Sequence, residues 1–276
     1  MEWLSVTAME KQWERADLQA EVTDDGTVNV TTKNIAGFQI TVPEGAKPKV
    51  SKVIVDGQSA AANETGSLSY QKLGGKWARV TDASQKEIRS LRKDPTLCGP
   101  IDHAFMSRFV MVRPTGKPLN EKVGAWAASE LQHATEFWRK VFRGDAPVMD
   151  DKALTDEEIR NSNLILWGDP SSNAVLARIL PKLPIQWTQE ALVIGKDRYD
   201  AAHTAPVLIF PNPLNPQRYV VLNSGVTFRE KALVNNSDQT PKLPDWAVVD
   251  LRTPAGPQWP GEVVHAGFFN EAWQLQ

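Results

Sequence analysis

The polar residues best placed to do chemistry follow two predicted strands. Gly168-Asp169-Pro170-Ser171-Ser172-Asn173 joins a strand ending at Trp167 to a predicted helix, and Asn223-Ser224-Gly225 follows a strand at 219–222. In open α/β sheets, ligands bind outside the carboxyl ends of the strands, where a following helix offers free N–H groups to an anion. We therefore predict a weak anion site built from Gly168, Asp169, Ser171, Ser172, Asn173, Asn223 and Ser224.

A third candidate loop follows another predicted strand. It has the sequence Pro211-Asn212-Pro213-Leu214-Asn215-Pro216, and Arg218 lies just beyond it. If the three loops share one edge of the sheet, Asn212 could bind the same ligand and Arg218 would add positive charge. The alternative is that Arg218 simply fixes a rigid, proline-rich loop.

The 168–173 loop also has a purely structural interpretation. Gly168 would relieve the turn, Pro170 would fix the start of the helix, and Ser171 or Ser172 would cap it. This interpretation needs no ligand and is the simpler of the two.

Ser224 invites comparison with the nucleophile on a strand-to-helix elbow. The first glycine of the elbow is missing, however, and no sequence argument brings His203 or His265 within reach of its hydroxyl. The chain also has no Gly-x-Ser-x-Gly, no phosphate-binding Gly-x-x-x-x-Gly-Lys, no Gly-x-Gly-x-x-Gly and no His-Glu-x-x-His. We therefore predict helix capping for Ser224 and no catalytic residue in this chain.

Metal and cofactor sites find no support in the sequence. The four histidines are far apart and Cys98 is the single cysteine, so neither a cysteine-rich zinc site nor a disulfide framework can form. Asp102 and His103 could form an acid/base pair, but adjacent side chains on an extended chain point to opposite faces. We expect no metal and no cofactor.

The charge balance restricts the partners. Lys and Arg total 31 against 33 Asp and Glu, a net charge of -2, which lacks the cationic excess that binding to phosphate backbones uses. No window approaches 18 apolar residues and no signal-peptide core follows Met1. We expect no nucleic-acid partner, no membrane span and no targeting segment in this chain; the localisation stays open, with export of a parent protein as one alternative.

Patterning divides the chain into three parts. Residues 1–82 contain six short strand patterns, at 16–23, 27–32, 37–42, 51–55, 67–73 and 76–80. Asp24-Asp25-Gly26 between the first two is a strong hairpin signal, and the set predicts a small antiparallel β-sandwich. Residues 83–100 are charged and aperiodic and end in Asp-Pro and Gly-Pro, which indicates a linker.

Residues 101–276 change to an α/β pattern. An amphipathic helix is predicted at 120–142, and strands at 105–112, 163–167, 206–210, 219–222 and 246–251 alternate with further helices, one of them at 226–234. A largely parallel sheet with helices on both faces accommodates this order. The predicted fold class is α/β, with a β-sandwich followed by a Rossmann- or flavodoxin-like three-layer domain.

Several segments together resemble a known family. They are Gly99-Pro100-Ile101-Asp102-His103-Ala104-Phe105-Met106, Val112-Arg113-Pro114-Thr115-Gly116, Leu166-Trp167-Gly168-Asp169-Pro170-Ser171-Ser172-Asn173, the 212–225 segment and Leu243-Pro244-Asp245-Trp246-Ala247-Val248. They resemble the C-terminal region of bacterial prolyl-oligopeptidase-like α/β-hydrolase proteins. The resemblance implies that nucleophile, acid and histidine lie on a separate catalytic domain, so no catalytic residue is carried over to this chain.

Two hypotheses follow. The first is a non-catalytic accessory region that packs on the catalytic α/β-hydrolase domain of a parent peptidase or esterase, shapes its substrate entrance or makes a homo-oligomer. The second is an independent small-ligand, anion-binding or hydrolytic domain that uses loops 168–173, 211–216 and 223–225. The first requires an exposed apolar patch, whereas the second requires a concave pocket where the three loops converge.

Overall fold

The computed structural model describes residues 3–11, 14–45, 47–62, 66–80 and 91–276. The chain divides into two compact units, a smaller one of Met1–Thr96 with Asn270–Trp273 and a larger one of Leu97–Phe269 with Gln274–Gln276. Residues 83–90 of the predicted linker lie outside the described residues. Lys93, also in that predicted linker, is buried in the smaller unit, where its N–H donates to the Glu271 carbonyl oxygen at 2.8 Å.

The smaller unit contains two four-stranded sheets. Its strands are β1 (Leu4–Met9), β2 (Asp17–Val22), β3 (Thr27–Lys33), β4 (Ile35–Val42), β5 (Lys52–Val55), β6 (Gln58–Ala60), β7 (Gly66–Leu73) and β8 (Lys76–Val80). One sheet has the order β1-β4-β7-β8 and the other β2-β3-β5-β6, with β3 and β5 parallel. Both contribute to one apolar cluster that includes Phe38, Val53 and Tyr70. The sequence missed β1, whose edge position gives little alternation, and β6, which has three residues.

The hairpin predicted between β2 and β3 is present, and its turn chemistry explains it. The Asp25 carboxylate accepts the Thr27 N–H at 3.0 Å and the Thr23 hydroxyl at 2.6 Å. Gly26 has φ +82° and lies so close to the Lys49 carbonyl oxygen that a Cβ would meet it at 2.0 Å. A side chain is therefore excluded at this position.

The larger unit is built on a seven-stranded mixed sheet. The strands of the larger unit are β9 (Phe109–Arg113), β10 (Val148–Asp150), β11 (Asn163–Leu166), β12 (Ile185–Trp187), β13 (Ala191–Ile194), β14 (Asp197–Asp200), β15 (Thr204–Asn212), β16 (Asn215–Leu222), β17 (Trp246–Asp250) and β18 (Glu262–Gly267). Of these, β12, β13 and β14 form a separate three-stranded sheet. The α-helices of this unit among the described residues are α1 (Glu121–Phe142), α2 (Asp156–Asn161) and α3 (Ala174–Ile179). The whole is a mixed α/β structure with several sheets, and no described helix is long and apolar enough to cross a membrane.

The seven strands lie in the order β10-β9-β11-β16-β15-β17-β18. The first four are parallel, whereas β16, β15, β17 and β18 pair antiparallel. The expected largely parallel sheet is thus parallel in one half. The difference arises at Pro213-Leu214, because this two-residue turn joins β15 and β16 into a hairpin where the sequence suggested a rigid loop.

Helix α1 forms where its apolar periodicity predicted it. Its buried face includes Val123, Ala127 and Leu131, and its end is marked by Arg143, which has φ +64° and donates its N–H to the Arg139 carbonyl oxygen. The helix predicted at 226–234 was wrong: the structure has an extended loop and a short 3-10 turn at Glu230–Val234. The pattern misled because the apolar side chains there pack on Phe137 of α1 rather than form a helical stripe of their own.

Candidate functional site

The two principal candidate loops meet at the carboxyl ends of neighbouring parallel strands. Leu166 of β11 is in register with Leu222 of β16, so the loops that follow adjoin. The Asn223 side chain joins them: its Oδ1 accepts the Gly168 N–H at 2.8 Å and its Nδ2 donates to the Gly168 carbonyl oxygen at 3.1 Å. Asn223 is buried and has φ +51°, a left-handed conformation that asparagine tolerates better than most residues.

Asp169 holds the first loop closed. Its Oδ1 accepts the N–H groups of Ser171 and Ser172 at 3.0 and 2.9 Å, and its Oδ2 accepts the Leu119 N–H at 2.7 Å. The Ser172 hydroxyl accepts the Asp169 N–H at 2.9 Å and donates to the Asp169 carbonyl oxygen at 3.2 Å. Asp169 is 1% exposed. Its carboxylate therefore binds main-chain donors of its own chain and is closed to solvent.

Asn173, rather than Ser171 or Ser172, caps the following helix. Its Oδ1 accepts the N–H groups of Val175 and Leu176 at the start of α3, at 3.0 and 3.1 Å. Its Nδ2 donates to the carbonyl oxygens of Trp167 and Val112 at 2.9 and 3.3 Å. The Ala174 N–H donates to the Asp151 carboxylate at 2.7 Å, so the first three N–H groups of α3 are already bound by side chains of the chain itself.

The crevice between β9 and β11 is also filled by the chain itself. The chain continues from β9 to β10 at one edge of the sheet, and from β11 toward the other edge. In open α/β sheets, ligands bind at the point where the connections diverge in this way. Here Gly168 has φ +91°, and a Cβ on it would meet the Ser172 hydroxyl at 2.5 Å and Pro114 at 3.1 Å. The Gly116 N–H donates to the Ser172 carbonyl oxygen at 2.8 Å. The 168–173 loop therefore packs directly on Pro114 and Gly116.

The third loop lies at the other end of the sheet. Asn212 ends β15 at the hairpin turn, where its Oδ1 accepts the Leu214 N–H at 2.9 Å. Arg218 lies near the start of β16, five residues before Asn223, which is roughly 16 Å along an extended strand. The structure therefore separates Asn212 and Arg218 from the other candidate residues, and the three loops do not converge.

Ser224 lines a small cavity between the 223–229 loop and α1. Its hydroxyl donates to the Gly225 carbonyl oxygen at 2.9 Å, and the cavity volume is about 20 Å³. A site of this size holds about one water molecule. The structure shows no helix after Ser224 for it to cap, so the predicted capping role is wrong, and the cavity is too small for a substrate.

A histidine that the sequence did not suggest lines the same cavity. His133 of α1 contacts the Glu230 carboxylate, with Nε2 and Oε1 2.9 Å apart. Burial acts to raise the pKa of Glu230, but hydrogen bonds from its main chain and from His133, with the charges of His133 and Arg229, leave that pKa below its usual 4.5. His203 and His265 instead contact Asp200 and Tyr199. The only sequence feature that pointed to His133 is its position three residues after Glu130, on the same face of α1.

Two buried contacts fix the loop after Ser224. Arg229 forms a bidentate ion pair with Glu130 of α1, at 2.6 and 3.3 Å, with both side chains less than one tenth exposed. Thr227 donates its N–H and its hydroxyl to the Asp102 carboxylate at 2.9 and 2.5 Å. Burial raises the pKa of Asp102 despite these hydrogen bonds. His103 instead contacts the Tyr219 hydroxyl, at 2.8 Å, so Asp102 and His103 do not act as a pair.

An apolar surface, which we call the aromatic surface, lies at the C-terminal end of α1. The ring centroids of Trp138 and Phe142 are 4.2 Å apart. Trp138 also contacts the buried ring of Phe109, at a centroid distance of 4.7 Å. Phe142 is 47% exposed. Met106, which is 81% exposed, follows Phe105, whose ring centroid lies 6.1 Å from that of Trp138, and Val234, which is 88% exposed, follows Leu233. The surface comprises Met106, Trp138, Val141, Phe142, Leu233 and Val234.

Val141 connects the two halves of this surface. It packs on the cluster of Phe137, Phe228 and Ala232, as does Leu233, which precedes Val234. Trp138, Val141 and Phe142 share one face of α1 because they are three and four residues apart. Val141 and Leu233 therefore pack on the same cluster, beside the face of α1 that carries Trp138 and Phe142.

Neither a metal site nor a relative identifies the chain. Among the described residues, no three His, Cys, Asp or Glu side chains come together to hold a metal ion. Comparison with protein-family models, with curated proteins and with solved structures returned no match.

Proposed function

We propose that this chain is a non-catalytic accessory region of a larger serine hydrolase, a prolyl-oligopeptidase-like peptidase or an esterase. Its partner would be the catalytic α/β-hydrolase domain of that parent protein, seated on the aromatic surface. The resemblance of the sequence segments supplies the family, and the finer fold description, a β-sandwich followed by a Rossmann- or flavodoxin-like three-layer domain, belongs to the same proposal.

The aromatic surface is the observation that carries this proposal. Large exposed apolar areas on a folded chain mark interaction sites, and aromatic residues are enriched at the centres of interfaces. Phe142, whose ring lies beside Trp138, is 47% exposed, and Met106 is 81% exposed. The three candidate loops argue in the same direction, because they do not converge and the side chains of Asp169, Asn173 and Asn223 bind main-chain groups of the chain itself.

One observation favours an independent hydrolase instead. Ser224 and His133 line one cavity, and Glu230 contacts His133. A hydroxyl, an imidazole and a carboxylate are the groups of a catalytic triad. Against it, the Ser224 hydroxyl donates to a main-chain oxygen and the cavity of about 20 Å³ admits no acyl substrate. We therefore rank this function second.

The test starts from the reading frame that encodes these residues. The proposal expects it to encode a segment with a Gly-x-Ser-x-Gly elbow, and that segment, produced alone, should bind this chain in a calorimetric titration. Phe142→Asp should weaken binding by about tenfold or more, since it places a charge at the centre of the interface. Leu73→Asp is the matched control, because Leu73 is also 47% exposed but lies in the smaller unit.

Two results would overturn the proposal. One is a reading frame without a hydrolase segment; the other is binding that Phe142→Asp and Leu73→Asp weaken equally.

A further inference from the structure

A second cleft lies between α1 and the edge strands β9 and β10, and Pro114 separates it from the 168–173 loop. Its volume is about 410 Å³, within the range of roughly 300–1,000 Å³ that small-molecule sites occupy. Pro114, Leu131 and Val148 supply apolar lining, while Arg113, Gln132 and Thr135 supply polar groups. A mainly apolar cleft with a few polar groups at one side is the usual composition of a site for a small organic molecule.

Arg113 is the cationic side chain of this cleft, and it forms an ion pair with Asp150. Arg113 ends β9 and is in register with Asp150, which ends the parallel neighbour β10. Its Nε donates to the Asp150 carboxylate at 2.6 Å. This contact uses one edge of the guanidinium and leaves the Nη groups to bind another acceptor. A planar guanidinium held in this way matches the two oxygens of a carboxylate.

The charge around Arg113 selects the kind of anion. Asp150 already balances part of the guanidinium charge, and no second Lys or Arg lines the cleft among the described residues. Because Asp150 offsets the guanidinium charge, a dianion such as a phosphate monoester would be repelled more strongly than a monoanion, which the Nη groups can bind through hydrogen bonds. The apolar lining in turn favours a ligand with a hydrocarbon or aromatic body.

We propose that this cleft binds a small monocarboxylate with an apolar body, its carboxylate on Arg113 and its body against Leu131, Val148 and Pro114. The proposal stands apart from the accessory function, because it uses neither the aromatic surface nor Ser224. A chain that packs on a hydrolase and a chain that acts alone could both carry this site.

The test is a titration of the full chain with 3-phenylpropionate, followed by ¹H–¹⁵N NMR. We expect shifts that cluster at residues 113, 131, 132, 135 and 148. Arg113→Gln should raise the dissociation constant about three- to tenfold, an effect moderated by the exposure of the side chain. Arg113→Lys keeps the charge but loses the bidentate geometry of the guanidinium. Its dissociation constant should lie between those of the wild type and Arg113→Gln.

Arg108→Gln is the matched control. Arg108 is 61% exposed and paired with Glu158 at 2.7 Å, close to the 57% exposure of Arg113, but it lies outside the cleft. The neutral analogue 3-phenylpropanol should bind more weakly than the carboxylate. Shifts outside the cleft, equal effects of Arg113→Gln and Arg108→Gln, or equal binding of acid and alcohol would each overturn the proposal. A native NMR spectrum of each variant establishes that it folds.

Discussion

Asp169, Asn173 and Asn223 direct nearly all their polar atoms to main-chain groups at the carboxyl edge of the larger sheet. Each is at most 2% exposed, and a buried donor or acceptor without a partner is costly. These side chains therefore hold strand-to-helix connections in place of a ligand. At the scale of single residues, the structural interpretation of the 168–173 loop describes the molecule better than the ligand interpretation.

Replacing the cap shows how much one such residue contributes. Asn173→Ala removes the cap of α3 and leaves the carbonyl oxygens of Trp167 and Val112 without its amide. We expect a loss of about 2–4 kcal/mol in the free energy of unfolding, measured by urea denaturation. Asn235→Ala, which removes an exposed cap at Ser237, should cost below about 1 kcal/mol. Equal losses would show that the buried hydrogen bonds of Asn173 contribute nothing.

Two aspartates should respond to pH with opposite signs. Burial raises the pKa of Asp102, so its contribution to stability is present below the usual 3.8 and is lost as the pH rises through the raised value. The hydrogen bond from Arg252 lowers the pKa of Asp250 from 3.8 to about 2, so its contribution is present above 3.8 and is lost as the pH falls toward 2.

Denaturation of the wild type, Asp102→Asn and Asp250→Asn between pH 6 and 3 measures both effects. As the pH falls, the stability of the wild type relative to Asp102→Asn should rise, and its stability relative to Asp250→Asn should decline below about pH 4. Trends of the same sign for both variants would contradict the assigned environments.

Among the helices and strands, hydrophobic periodicity predicted the bounds of those segments that bury one amphipathic face. The α1 stripe and the alternation of β2, β3 and β7 predicted those elements nearly to their ends. Periodicity says nothing about which neighbour a strand takes, so the antiparallel half of the large sheet and the small β12-β13-β14 sheet were not anticipated. His133 was missed for the same reason, since only the docking of α1 brings it beside Ser224.

The docking of α1 on the loop after β16 depends on a residue without a side chain. A Cβ at Gly225 would lie 2.9 Å from the Ala134 Cβ, and Gly225 has an ordinary negative φ, so the constraint is one of space. Gly225→Ala should cost about 1–3 kcal/mol in the free energy of unfolding. Gly144→Ala, with no atom within 4 Å of the new Cβ, should change it by at most about 0.5 kcal/mol.

The double variant Gly225→Ala with Ala134→Gly separates crowding from other causes. It should regain the steric part of the loss while keeping the cost of a glycine in a helix, about 1 kcal/mol. A double variant as unstable as the sum of the two single changes would exclude crowding.

In the molecule as a whole, a short segment distant in sequence completes the smaller unit. Asn270–Trp273 belong to it, and Lys93 lies 2% exposed with its Nζ 4.9 Å from the centre of the Trp273 ring. The sequence placed 83–100 as a linker from charge and breakers, but it had no signal that distant C-terminal residues cover Lys93. A charged residue is therefore expected to be exposed only where no residue distant in sequence packs on it.

Limited trypsin digestion tests whether Trp273 protects Lys93. Trp273→Ala removes a buried aromatic side chain, and we expect cleavage after Lys93 to accelerate by about tenfold or more, because proteolysis follows the population of the open form. Trp259→Ala, a half-buried tryptophan of the larger unit, should leave this cleavage unchanged. Rapid cutting after Lys93 in the wild type would contradict the burial of this residue.

We propose that this chain assists a serine hydrolase and is not one itself. Fluorophosphonate labelling of the full chain, mapped by mass spectrometry beside an active serine hydrolase, tests it most directly. We predict no labelling at Ser224 or Ser172, because the Ser224 cavity holds about one water molecule and the Ser172 hydroxyl is bonded at both its donor and acceptor sites. Stoichiometric labelling of Ser224 that disappears in His133→Ala would contradict the claim and make the chain a hydrolase in its own right.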